Sequence, residues 1–275
     1  MKIVVFDLDE TLGYFAQLGM FWDCLVNYIK NTNNYKLTQT DFNQVLGLYP
    51  EFLRPYIINI LTYLKTRKLS KCCQQMMIYT NNQGPKEWAA NIVSYFETKI
   101  GYKLFDQIVA AFKINGKQIE MCRTSHDKSH GDFIKCTKIP EDAEICFIDD
   151  IYHPGMKHEN VYYINLKPYE HDLEFEEMIT RFLSSSLSND IIENKDDFKT
   201  VVISELNKYN YSVVVKNPDE YEVDFILGKE ILSHLKFFFT KKSSIERQRK
   251  STSRLSTARQ SAGRRRGRTY KKKRV

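Results

Sequence analysis

Ile3-Val4-Val5-Phe6-Asp7-Leu8-Asp9-Glu10-Thr11-Leu12 decides how this chain is read. Four apolar residues without alternation suit a strand covered on both faces, the pattern of a parallel sheet between helices. The run then delivers two carboxylates, one residue apart, to the strand's C-terminal end, where sites form in open α/β sheets. Two later runs end the same way. Met76-Met77-Ile78-Tyr79 is followed by Thr80-Asn81, and Ile145-Cys146-Phe147-Ile148 by Asp149-Asp150. A lone Asp-x-Asp reads as a pair of turn carboxylates. Three polar endings behind three apolar runs read as one cluster built across a sheet.

Neighbouring parallel strands lie about 4.8 Å apart, so side chains at their ends converge. Asp7 and Asp150 are then placed to share a divalent cation. Carboxylate oxygens favour Mg²⁺, which keeps several waters and completes its shell with substrate phosphate. Asp9 and Asp149 extend the candidate ligand set. If the chain turns after Asp7, helped by Gly13, Asp9 is free for proton transfer.

On these residues the chain resembles the haloacid dehalogenase superfamily of phosphotransferases. Its first motif, D-x-D-x-T, reads Asp7-Leu8-Asp9-Glu10-Thr11 here. The form D-L-D-E-T-L, with Leu53-Arg54-Pro55 further on, is similar to the RNA polymerase II CTD-phosphatase (NLI-interacting-factor-like) branch. Thr80 matches the second motif and Asp149-Asp150 the acidic fourth, although the branch usually carries Asp-Asn there. The resemblance covers about residues 1–185.

It implies that Asp7 attacks phosphorus, giving an aspartyl-phosphate. Asp9 protonates the leaving oxygen and then deprotonates the resolving water. Thr80 binds a phosphoryl oxygen, Thr11 and Asn81 contact substrate, and Mg²⁺ offsets developing charge. The family also needs a lysine between the second and fourth motifs. Lys128, in a polar loop before a helix-like stretch from Asp132, is preferred to Lys135 within that stretch, because a helix N-terminus aimed at phosphate adds a favourable dipole. The implied substrate is phosphoserine or phosphothreonine in an extended polypeptide. A nucleic-acid end phosphatase is the other enzymatic reading, and a polyanion-binding scaffold on a relic fold the non-enzymatic one.

The expected fold is α/β, a doubly wound parallel sheet over residues 1–187 with a small helical insert at 13–52. Phe21, Trp22, Leu25 and Ile29 follow helical spacing, and Thr38 opens a second short helix. Further helices are expected after Pro55, after Gly84-Pro85 and over 172–183. Strands are expected at 105–109 and 161–164, and a hairpin at Asn115-Gly116. Residues 188–239 read as a small α+β appendage, with strands at 211–215 and 221–225 around an Asn217-Pro218-Asp219 turn.

Residues 241–275 hold fifteen Lys and Arg against Glu246 alone, so the chain's +7 divides into +14 on this tail and −7 on the rest. Segment 240–275 is expected to be disordered in isolation. It reads as a nuclear-import signal or a contact for nucleic acid or another polyanion. No run approaches a membrane span, and no secretory signal precedes Ile3. The six cysteines lack C-x-x-C spacing and read as reduced intracellular thiols. Cys122, His126 and His130 form a C-x₃-H-x₃-H array for which polar loop residues are a better reading than zinc.

Overall fold

In the computed structural model, residues 1–33, 35–85 and 87–241 are described. The chain divides into two compact units, Met1–Leu235 and Lys236–Val275, and the sheet lies wholly in the first. The basic tail from residue 242 and its expected contacts lie outside the described residues.

Five parallel strands form the sheet: β1 (Lys2–Phe6), β2 (Gln75–Tyr79), β3 (Gln107–Val109), β6 (Glu144–Asp149) and β7 (Val161–Asn165), in the order β3-β2-β1-β6-β7. The order reverses between β1 and β6, the switch point where open α/β sheets hold their sites. Side chains alternate faces along β1. Ile3 and Val5 join Met77, Ile145 and Phe147 in one buried cluster, while Val4 and Phe6 are equally buried on the opposite face. Each fully buried aliphatic side chain contributes about 1.5–3 kcal/mol. Covering both faces explains why the run is continuous rather than alternating. A two-residue-stranded hairpin, β4 (Lys113–Ile114) and β5 (Lys117–Gln118), turns at Asn115 and Gly116, both at positive φ.

The insert after β1 is helical, as expected. It contains α1 (Ala16–Thr32) and α2 (Gln39–Gly47), the latter opened by a Thr38–Asp41 capping box. Both belong to the body of the protein: Phe21 is fully buried, edge-on to Tyr49 and Phe182. Gly13 is required at the insert's start, because a Cβ there would stand 2.4 Å from the Phe52 carbonyl oxygen. Then come α3 (Ile57–Leu69), α4 (Trp88–Ile100), α5 (His130–Thr137) and α6 (Phe175–Leu183).

Residues 188–239 depart from expectation: they contain helices and no strand. A short α7 (Ser186–Ile191) leads to α8 (Lys195–Asn207) and α9 (Pro218–Thr240). The supposed strand at 221–225 is the second turn of α9. Asn217-Pro218-Asp219-Glu220 is a helix start rather than a turn, with Pro at the first helical position and acidic residues in the first turn. The valines at 213–215 pair with no strand. Instead Tyr211 and the Val214 amide donate to the Asp172 carboxylate at 2.6 and 2.9 Å. The region also packs on the body: Tyr28 donates to Asp197 of α8 at 2.8 Å, and a Cβ on Gly228 of α9 would reach within 2.4 Å of the Pro55 carbonyl.

The cysteine expectation is corrected in part. Cys122 and Cys136 form a disulfide with Cα atoms 5.1 Å apart; Cys24, Cys73 and Cys146 are buried thiols and Cys72 an exposed one. Their separation of 14 residues matches no short motif, so the pairing was invisible before the loop and helix met. No helix among the described residues is long and apolar enough to cross a membrane.

Candidate active site

The first motif leaves β1 without breaking the sheet. The Asp7 amide donates to the Ile148 carbonyl at 2.9 Å, extending the β1–β6 ladder by one rung. The chain then turns sharply, with Glu10 at φ 57° and its amide bonded to the Gly13 carbonyl at 2.7 Å. Arg54, 1% exposed, locks this turn. Its Nε donates to the Thr11 carbonyl at 2.7 Å and its Nη2 to the carbonyls of Glu10 and Lys167. Burial pushes the Arg54 guanidinium down to about 10, against the pull of Asp224 and Asp150. The Leu-Arg-Pro stretch is therefore a brace for the carboxylate loop.

At the switch point Asp7, Asp149 and Asp150 each present an oxygen within 4.8 Å of the others. Three converging hard-oxygen donors suit Mg²⁺. Asp9 lies outside this set, although it was expected to belong to it. The Lys128 ammonium, 2% exposed, donates to Asp7 Oδ1 at 2.5 Å and Asp149 Oδ2 at 2.6 Å. Burial alone would lower the Lys128 pKa, but Asp7 and Asp149 outweigh it and raise it, so the amine stays charged. Lys135 is exposed on α5. Lys128 reaches the site because Ser129, accepting from the Asp132 amide, caps α5 and sets the preceding residue against the sheet end.

Burial, with help from Asp149 and Asp150, raises the Asp7 carboxyl above its ordinary range against the opposing Lys128 charge. One lysine does not neutralise three carboxylates, and the residual negative charge is what a divalent cation would offset. His153 Nε2 stands 3.7 Å from Asp149. Burial and Lys128 hold this imidazole down to about 4, so it is neutral.

Asp9 points elsewhere. Its Oδ2 accepts from Asn82 Nδ2 at 2.7 Å. Burial first, then the Asp7 charge, lifts it to about 6, with the Asn82 bond opposing. A carboxyl poised there can both give and take a proton near neutral pH. Thr11 donates to Asp150 Oδ1 at 2.8 Å and accepts from the Asp150 amide, tying the turn after β1 to the end of β6. Its hydroxyl is committed to the protein; Asn81 Oδ1 accepts from Arg123 at 2.8 Å. Thr80 is buried and its Oγ1 accepts from the Asn82 amide at 2.9 Å.

Two participants escaped sequence reading. Asn82 sits next to the residue chosen and differs from it only in direction. Arg123, 1% exposed, donates to the carbonyls of Thr80, Ala110 and His126 and to Asn81, its guanidinium 4.8 Å over the Tyr79 ring. Nothing local marks it, because three separate segments bury it. The Cys122–His126–His130 array does not gather: Cys122 is in the disulfide, His126 packs on Phe112, and His130 stacks on His158.

The chain matches no family model, no curated protein and no solved structure.

Proposed function

We propose that this protein is a Mg²⁺-dependent phosphomonoesterase of the haloacid dehalogenase type, resembling the CTD-phosphatase branch, working through an aspartyl-phosphate. One observation carries the reading. Lys128 bridges Asp7 and Asp149 at the switch point, while Asp9 stands apart from the three-carboxylate cluster at a pKa of about 6. That arrangement fits a nucleophile inside a cation pocket with a separate proton carrier beside it.

An Asp7 oxygen attacks phosphorus as the bond to the leaving oxygen breaks and Asp9 delivers its proton to that oxygen. Water then attacks the acyl-phosphate, Asp9 takes the water's proton, and inorganic phosphate leaves with the Asp7 carboxylate restored. Lys128 and the Thr80 hydroxyl hold the non-bridging oxygens, and Arg123 holds the Thr80 strand end. Asp7, Asp149 and Asp150 would hold a Mg²⁺ ion, which would supply charge neutralisation. The substrate is a phosphoserine or phosphothreonine polypeptide, and tail 241–275 serves targeting or contact with a polyanion.

Phosphate release from an aryl phosphate, a phosphopeptide and a 3′-phosphorylated oligonucleotide, with and without Mg²⁺, tests this. Mg²⁺-dependent turnover of the first two is expected. Preference for the oligonucleotide would favour an end phosphatase, and inactivity on all three a relic scaffold.

A further inference from the structure

Beside Asp9 opens a cleft of about 380 Å³. Asp9, Glu10 and Asp23 line it together with the rings of Tyr14, Trp88 and Tyr209. The aromatic walls are set in place. Tyr14 shares a 2.7 Å hydrogen bond with Tyr211, itself held by Asp172, and Trp88 packs edge-on against Phe42. Asp9 accepts from Asn82, but the other two carboxylates are unpaired: neither Glu10 nor Asp23 has a side-chain hydrogen bond or ion pair among the described residues. Burial, then Asp150, Glu170 and Asp9, raises Glu10 to about 7, and burial raises Asp23. No Lys or Arg occurs among the described residues that line the cleft. A partly enclosed surface with aromatic sides and unpaired carboxylates fits a cation with an apolar stem.

Position says which part of a substrate lies there. Asp9 is the proton carrier in the phosphatase reading, on which this inference rests, so the leaving-group oxygen must face Asp9 and the rest of the leaving group must run into this cleft. We propose that the cleft selects phosphorylated polypeptides carrying a lysine or arginine next to the phosphorylated residue. The aliphatic stem packs on Trp88 and Tyr209, and the charged end meets Asp23 and Glu10. A nucleic-acid end is disfavoured, because its next phosphate would enter beside three carboxylates.

The test uses the full-length Asp7→Asn protein, which cannot turn substrate over, and fluorescence anisotropy with two phosphoserine peptides flanked by arginine or by glutamate. The ratio of the two dissociation constants is the readout, since the basic tail acts alike on a given peptide in every variant. Arginine is expected to win in the Asp7→Asn protein. Adding Asp23→Lys is expected to move the ratio about tenfold toward the glutamate peptide, because both attraction and repulsion change sign. Asp23→Asn, a gentler change, should move it part of the way. A ratio that moves less than twofold in both variants overturns the inference. Tighter binding of a 3′-phosphorylated trinucleotide than of the arginine peptide, persisting in high salt, overturns it too. Turnover of aryl phosphate by the wild-type protein separates the two levels. With turnover present, a static ratio removes only the cleft assignment; with turnover absent in Mg²⁺, the phosphatase reading falls and the leaving-group assignment with it.

Discussion

Lys128 and Asp7 lie 121 residues apart in the chain and meet at 2.5 Å, with the same ammonium 2.6 Å from Asp149. Replacing Lys128 by Met removes a cation that touches both carboxylates. Breaking a buried pair on one side typically costs about 3–5 kcal/mol. Lys128→Met should therefore lower the melting temperature sharply in EDTA, less so in Mg²⁺, and, on the phosphatase reading, abolish turnover. Lys135→Ala, on an exposed position, should change stability by no more than about 0.5 kcal/mol. Equal effects of the two substitutions would remove Lys128 from the site.

Asp7→Asn should fold and be inactive, because an amide neither attacks phosphorus nor binds Mg²⁺ well. Asp9→Asn should slow turnover by about 10²–10⁴-fold, with the smallest loss for good leaving groups such as nitrophenolate. A uniform loss across leaving groups would deny Asp9 the proton. More than a few per cent residual activity in Asp7→Asn would deny Asp7 the nucleophilic role.

The pH dependence follows from the raised carboxyls. Asp9 at about 6 and Glu10 at about 7 bind protons more tightly folded than unfolded. Their contribution is complete below the unfolded carboxyl range, near pH 4, and is lost as pH rises through 6 to 7. Metal-free protein should melt at lower temperature at pH 8 than at pH 5.5. Asp9→Asn should flatten that slope, and Mg²⁺ should stabilise more at pH 8 than at pH 5.5. The same slope in wild type and Asp9→Asn would show that Asp9 does not titrate there.

The Cys122–Cys136 disulfide closes a loop that carries both Arg123 and Lys128. A loop of this length is worth about 3 kcal/mol. A reductant should lower the melting temperature of the wild-type protein and leave a Cys122→Ser variant unmoved. No shift with reductant would mean that the bridge does not form in solution.

Gly228 seats α9 against the residues before α3. Gly228→Ala would press a methyl to 2.4 Å from the Pro55 carbonyl, where overpacking costs typically about 1–3 kcal/mol. Chemical denaturation should show that loss if residues 188–235 fold as part of the first unit. A neutral substitution would mean that α9 is free of it.

The strands and the polar residues that end them were legible in the sequence, because both signals are local. A continuous apolar run marks a strand buried on two faces, and the residue after it falls at the sheet's edge wherever the sheet goes. The helix-like stretch from Asp132 likewise placed Lys128 just ahead of α5, whereas the Ser129 cap emerged only in the structure. What each polar side chain does there is a tertiary matter. Asp9 and Asp7 are two residues apart, yet the brace from Arg54 turns one toward Asn82 and leaves the other with Lys128. Asn81 and Asn82 are adjacent, yet Asn82 Nδ2 meets Asp9 while Asn81 Oδ1 accepts from Arg123. Residues 211–225 carry strand-like composition but find no partner strand, so Asp172 holds the first part as a strap and the Pro218 start makes the rest helical. Local pattern determined the elements and the order of the acidic ends; convergence of segments far apart in the chain decided burial, pairing and charge, because those depend on what lies across the gap rather than on what comes next.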